Sequence, residues 1–212
     1  MPKNIISPNK IVYWSGISVV ATLCLFAAFL FLSLFGLQTI YWSFFVVMLM
    51  GVSFVIMQAA LYSATDNDKK IYALLGLIFA IMFAGFISIA YYVQLAVVLN
   101  NPLELTDETI KLISYAPGSV AFALDMLGFT FLCLSVLALA PLFSYKKDRL
   151  LTSFIWINGL FVPPTFIFPV FFVSQNSTPS DNAGSIALFI WCLIFLPVPL
   201  LLASRFNQKP AQ

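Results

Sequence analysis

The sequence predicts an all-α, polytopic membrane protein. The expected architecture is a bundle of six transmembrane helices, with a short amphipathic outer-surface helix between helices three and four. Three observations carry this prediction. Of 212 residues, 62% are apolar and only 8% are charged, whereas soluble domains carry about 25% charged residues. The mean hydropathy is +1.02. Six apolar runs, at about 11–35, 40–63, 71–99, 119–144, 150–174 and 186–204, reach the roughly 20 residues that a span requires. Residues 1–212 therefore read as a single transmembrane domain. The runs are continuous, unlike the alternating segments of about ten residues that build membrane β-barrels.

The first run is too long for the apolar region of a signal peptide, and no A-x-A site follows it. Gly36 to Thr39 forms a tight turn, so spans one and two should be a hairpin. Span three carries a ladder of small residues four apart, Gly76, Ala80, Ala84 and Ser88. Helices in lipid associate through such close contacts and through hydrogen bonds. The ladder predicts a tight helix contact, either within the chain or with another protomer in a homo-oligomer. The longest connection, about 100–118, contains the amphipathic segment Leu105–Tyr115. Thr106 suits its N-cap, and Asp107 and Glu108 suit its first turn. This segment is either a helical loop or a lid over an outward cavity. Span five holds Pro163, Pro164 and Pro169, and span six holds Pro197 and Pro199. Each proline removes a backbone donor, so both spans should kink or unwind, with Asn158 a candidate partner for carbonyls freed near Gly159 and Leu160. The other outer connection, 175–185, carries the sequon Asn176-Ser177-Thr178.

Charge sets the expected orientation. Lys3, Lys10, Lys69, Lys70, Lys146, Lys147, Arg149, Arg205 and Lys209 fall on one side, and Lys111 alone on the other. Short loops biased in this way stay cytoplasmic. The expectation is a multi-pass cell-membrane protein with both termini cytoplasmic. Its short loops suit a bacterial cytoplasmic membrane.

The composition narrows the chemistry. With no histidine, His-ligated haem, HExxH zinc sites and Ser-His or Cys-His pairs are excluded. Cys24, Cys133 and Cys192 lie singly in apolar runs. No metal or cofactor motif is present, and a net charge of +2 is too small for nucleic-acid binding.

One acidic residue lies inside a span. Asp125 is about seven residues into span four, among the small or polar residues Gly118, Ala121, Gly128 and Ser135 of one helical face. Placing an aspartate in the bilayer costs up to about 2.5–3.5 kcal/mol, and such residues face the bundle and mark function by default. On span three, Ser88, Tyr91 and Gln94 form a polar stripe, with Tyr91 and Gln94 at the depth of Asp125. Lys111 is the nearest candidate cation, and Trp191 of span six lies deep enough to wall the site. The expected binding site is therefore Asp125, Tyr91, Gln94, Lys111, Ser88 and Trp191.

Two functional readings follow. In the first, this site binds or transports a small ligand or ion, with proton coupling one form of the chemistry; a continuous outer-half cavity should then be present. In the second, the protein is a non-catalytic assembly or sensor subunit, with Asp125 as interhelical hydrogen-bond glue in a dry bundle. An intramembrane enzyme is weaker: Glu104 and Glu108 outside could pair with Asp125, but one buried acid and solvated carboxylates on a helix face are not the convergent perturbed groups in a cleft that an active site needs. The expected partners are the lipid bilayer, a small-molecule or ion ligand, and a second copy through Gly76, Ala80, Ala84 and Ser88.

Overall fold

The computed structural model describes residues 7–100, 104–171 and 183–207. Among these residues every regular element is helical. The order is α1 (Pro8–Ser33), α2 (Ile40–Ala64), α3 (Lys70–Val93) with a π-helical turn at Gln94–Val98, α4 (Asp107–Ile113), and α5 (Val120–Leu137) with a 3-10 turn at Ala140–Leu142. Then come α6 (Arg149–Gly159), α7 (Val162–Phe171), α8 (Ala183–Phe195) and α9 (Pro197–Asn207). Six segments are long and apolar enough to cross a bilayer: Pro8–Ser33, Ile40–Ala64, Lys70–Val98, Val120–Leu142, Arg149–Ile167 and Ile186–Asn207. The sequon at 176–178 and most of the 175–185 connection lie outside the described residues.

Local chemistry explains the element boundaries. Pro8 begins α1, where its missing N–H costs nothing and its φ is already helical. The α1–α2 turn is as tight as its sequence predicts: Gly36 takes a positive φ of 78°, and the Thr39 hydroxyl donates back to the Phe29 carbonyl at 2.8 Å. The fifth segment breaks at Leu160–Phe161, just before Pro163 and Pro164, which cannot donate to the Gly159 and Leu160 carbonyls. The sixth breaks at Leu196, and Pro197 starts α9.

The segments close into a ring. α1 packs on α2 and on α8 and α9, α2 packs on α3, α3 on α5, α5 on α6 and α7, and α6 returns to α8 and α9. Glycines mark the closest approaches. A Cβ on Gly16 of α1 would lie 3.0 Å from the Ala203 Cβ of α9, and one on Gly51 of α2 would lie 3.4 Å from Ala84 of α3. Three rungs of the span-three ladder, Gly76, Ala80 and Ala84, are taken up within the chain. Gly76 abuts Ser135 and Leu139 from the fourth segment and Gln58 of α2, Ala80 is fully buried, and Ala84 meets Gly51.

The centre of the ring is aromatic. Phe54 contacts Phe83, Phe83 contacts Phe129, Phe129 contacts Trp191, Trp191 stacks on Phe195, and Phe195 returns to Phe54, with ring centroids 4.9–6.1 Å apart. These five side chains from α2, α3, α5 and α8 are buried and fill the middle of the bundle. The end bearing residues 34–39 and 104–119 is termed the outer end, after the sequence-based topology.

Candidate functional site: a buried carboxyl with two phenols

The α3–α5 seam places the site. On α5 the face Asp125, Gly128, Ser135 runs antiparallel to Tyr91, Ile87, Gly76 on α3. A Cβ on Gly128 would lie 3.0 Å from Ile87, and the Ser135 hydroxyl donates to the Gly76 carbonyl at 2.7 Å. This register brings Tyr91 to Asp125, five residues into α5 and so roughly 8 Å below its outer end.

Asp125 is 0% exposed. Tyr91 donates its hydroxyl to Oδ1 at 2.5 Å, and Tyr115 donates to Oδ2 at 2.8 Å. Both oxygens are thus hydrogen-bonded by phenols. Aromatic rings surround the group: Phe44 of α2 stacks on Tyr91 with centroids 4.6 Å apart and lies 5.5 Å from the Tyr115 ring, and Phe122 sits 6.0 Å from Tyr115. Burial first, and then the Asp125 carboxylate beside it, hold the Tyr115 phenol well above the usual tyrosine value.

Several expectations are corrected. Lys111 is exposed on α4 and makes no ion pair with Asp125; among the described residues the ion pair is Arg205 with Asp148, at the opposite end. Gln94 is buried but does not bond Asp125. Its Nε2 donates to the Ile113 carbonyl at 2.7 Å, and its Oε1 accepts the Tyr115 N–H at 2.8 Å. The π-helical turn that starts at Gln94, closed by Leu99 N–H to the Gln94 carbonyl at 2.9 Å, ends the regular helix at this point, as such turns often do near functional sites. Ser88 makes no hydrogen bond to the cluster; the residue of α3 that meets the α5 seam there is Ile87. Trp191 is buried against Phe129, one turn deeper than Asp125, so it walls the central aromatic layer rather than the carboxyl. Asn158 does not cap its own freed carbonyls but donates to Phe154 at 2.8 Å and, across to α8, to Ile194 at 3.3 Å.

Tyr115 is the member that sequence reasoning missed; its position before span four reads as an interface anchor. The signal was the turn that follows it. Ala116-Pro117-Gly118-Ser119 closes with Ser119 N–H to the Ala116 carbonyl at 3.0 Å, with φ of 86° at Gly118. Proline second and a positive-φ glycine third define a type II turn. Ser119 then caps α5 by accepting the Phe122 N–H at 3.1 Å. The reversal folds residue 115 back over residue 125.

Among the described residues no cluster of acidic or sulfur side chains could hold a metal ion. A groove of about 360 Å³ between α1 and α8 is apolar, lined by residues such as Leu23, Cys24, Phe31 and Phe189, and no member of the Asp125 cluster lines it. The chain matches no protein-family model, no curated protein and no solved structure.

Proposed function

We propose that the chain is a multi-pass cell-membrane protein, with both termini cytoplasmic, that binds a proton at Asp125 from the outer side and acts as a sensor-type component without carrying a solute across. The observation that carries this reading is a carboxyl at 0% exposure whose hydrogen-bond partners are two phenols. Burial penalises the charged carboxylate, and the two phenolic donors favour it. The side chains beside the carboxyl are two phenols and apolar rings, with no cation among the described residues there, so the ion it is suited to take up is a proton. Passage inward is disfavoured by the five buried aromatic rings that begin one turn below, at Phe129. The membrane placement is supported by the six apolar segments, and the orientation by the lysines and arginines that gather on one side.

Infrared difference spectra of the full chain in lipid nanodiscs, recorded as pH is changed, test this. A carboxyl C=O band that responds to pH in wild type and is missing in Asp125→Asn is the expected result. A pH-independent spectrum in that region rejects proton binding at this site. It would favour the second reading, an assembly subunit in which Asp125 is a static tie. That reading has its own support: both carboxyl oxygens are already hydrogen-bonded inside a buried cluster.

A further inference from the structure

We infer that residues 113–119 form a strap that Gln94 fastens over Asp125, so that the carboxyl meets outer solvent only when this strap lifts. The inference rests on the proton-binding reading for its purpose, but its geometry is independent of it. Gln94 grips two positions of one extended stretch, accepting from the Tyr115 N–H and donating to the Ile113 carbonyl. A side-chain amide used at both ends fixes the orientation of the peptide that it holds. That orientation delivers the Tyr115 hydroxyl to Asp125 Oδ2. Gln94 is thus a positioning residue: it touches neither carboxyl oxygen, and acts through Tyr115.

The two flanks of the strap differ. Toward α5 it is held by the type II turn and the Ser119 cap. Toward the preceding chain it continues into α4, in which no residue is buried. Release of the Gln94 grip therefore frees one flank, while the other stays as a hinge. The titratable groups facing Asp125 are Tyr91 from α3 and Tyr115 from the strap itself; α2 presents Phe44. The inward direction is filled by the aromatic layer, and among the described residues it is the strap, through Tyr115, that meets the carboxyl from the outer end.

Hydrogen–deuterium exchange of the full chain in nanodiscs, with exchange of the carboxyl proton followed by infrared, tests the strap. Gln94→Leu should raise amide exchange across 113–119 by about thirtyfold, the factor for two lost hydrogen bonds at about fivefold each. It should also speed carboxyl exchange at Asp125 and leave the α1–α2 hairpin unchanged. Unchanged protection at 113–119 overturns the strap. If Gln94→Leu loosens every segment alike, Gln94→Glu decides. A protonated glutamate can accept from Tyr115 and donate to Ile113, and an ionised one cannot donate. Exchange confined to 113–119 that rises with pH, after correction for intrinsic rates, supports the strap; pH-independent exchange there overturns it. The two proposals fail separately. A wild-type carboxyl band that ignores pH rejects the proton reading even if Gln94→Leu frees the strap. A responsive band above a strap indifferent to Gln94 rejects the strap alone.

Discussion

The Tyr91–Asp125 bond offers a measurement whose size depends on the charge of the carboxyl. In the double-mutant cycle of Tyr91→Phe and Asp125→Leu, the leucine removes the acceptor and the phenylalanine ring keeps its stack on Phe44, centroids 4.6 Å apart in the parent, so the coupling is confined to one hydroxyl and one carboxyl. Bonds to charged groups contribute about 1.5–3 kcal/mol. Side-chain bonds between membrane helices average about 0.6 kcal/mol, with a maximum near 1.7. Because Tyr115 still holds the other oxygen, the charged-state coupling should lie at the low end, about 1.5 kcal/mol. Reversible unfolding in mixed micelles, at the acid and alkaline limits of the stable range, reads both values. Coupling near 0.6 kcal/mol in acid and about 1.5 kcal/mol in alkali is expected if Asp125 gains and loses a proton. The same coupling at both limits refutes the reasoning, since a group that never changes charge cannot change the strength of its hydrogen bond.

Other substitutions probe the frame and the strap. Gly16→Val should separate α1 from α9, because even a Cβ lies 3.0 Å from the Ala203 Cβ and 3.2 Å from the Pro199 carbonyl; overpacking of this kind lowers stability by about 1–3 kcal/mol, read as a fall in Tm. Asn158→Leu leaves the Ile194 carbonyl without its cross-segment donor and should cost about 1–3 kcal/mol in the same assay, with little effect on the Asp125 infrared band. The Tyr115 phenol is held above its ordinary value of 10.0. Its contribution to stability is therefore complete below about pH 10 and is lost as pH rises through the folded value. Alkaline unfolding curves should show this loss in wild type and a smaller one in Tyr115→Phe.

The periodic features of the fold were legible in the sequence. Six apolar runs correspond to six long apolar segments, and the small and polar face Asp125, Gly128, Ser135 is the seam that α5 lays on α3. Matching depth along antiparallel spans was enough to pair Asp125 with Tyr91. The same reasoning failed for Lys111, because charge balance said that a cation was needed without saying which way a short surface helix turns; α4 leaves Lys111 exposed. It failed differently for Gln94, one turn beyond Tyr91 near the end of span three, where the chain folds back and offers backbone groups closer than any side chain. Tyr115 was missed because a tyrosine beside a span ordinarily anchors to the interface. Only the Pro117-Gly118 reversal turns it inward, and a turn's handedness shows in sequence while its landing point does not.

The choice of a carboxyl over an amide at position 125 bears on which function the cluster serves. An asparagine there would keep one acceptor for a phenol and add two donors, and a phenolic oxygen can accept one of them. The chain ties two segments in this way at Asn158, whose amide reaches the Ile194 carbonyl of α8. Aspartate carries an insertion cost of up to about 2.5–3.5 kcal/mol at mid-span and less at the depth of residue 125, and two bonds at about 0.6 kcal/mol each offset it only in part. What a carboxyl adds is a change of charge. Asp125→Asn should therefore fold, keep the contacts of Tyr91 and Tyr115, and remain within about 1 kcal/mol of wild type where the parent carboxyl is neutral. The dependence of its stability on pH should flatten relative to wild type. Thermal unfolding across pH for the two proteins measures this, and parallel profiles would mean that residue 125 is a replaceable hydrogen bonder and that its charge has no part in what the protein does.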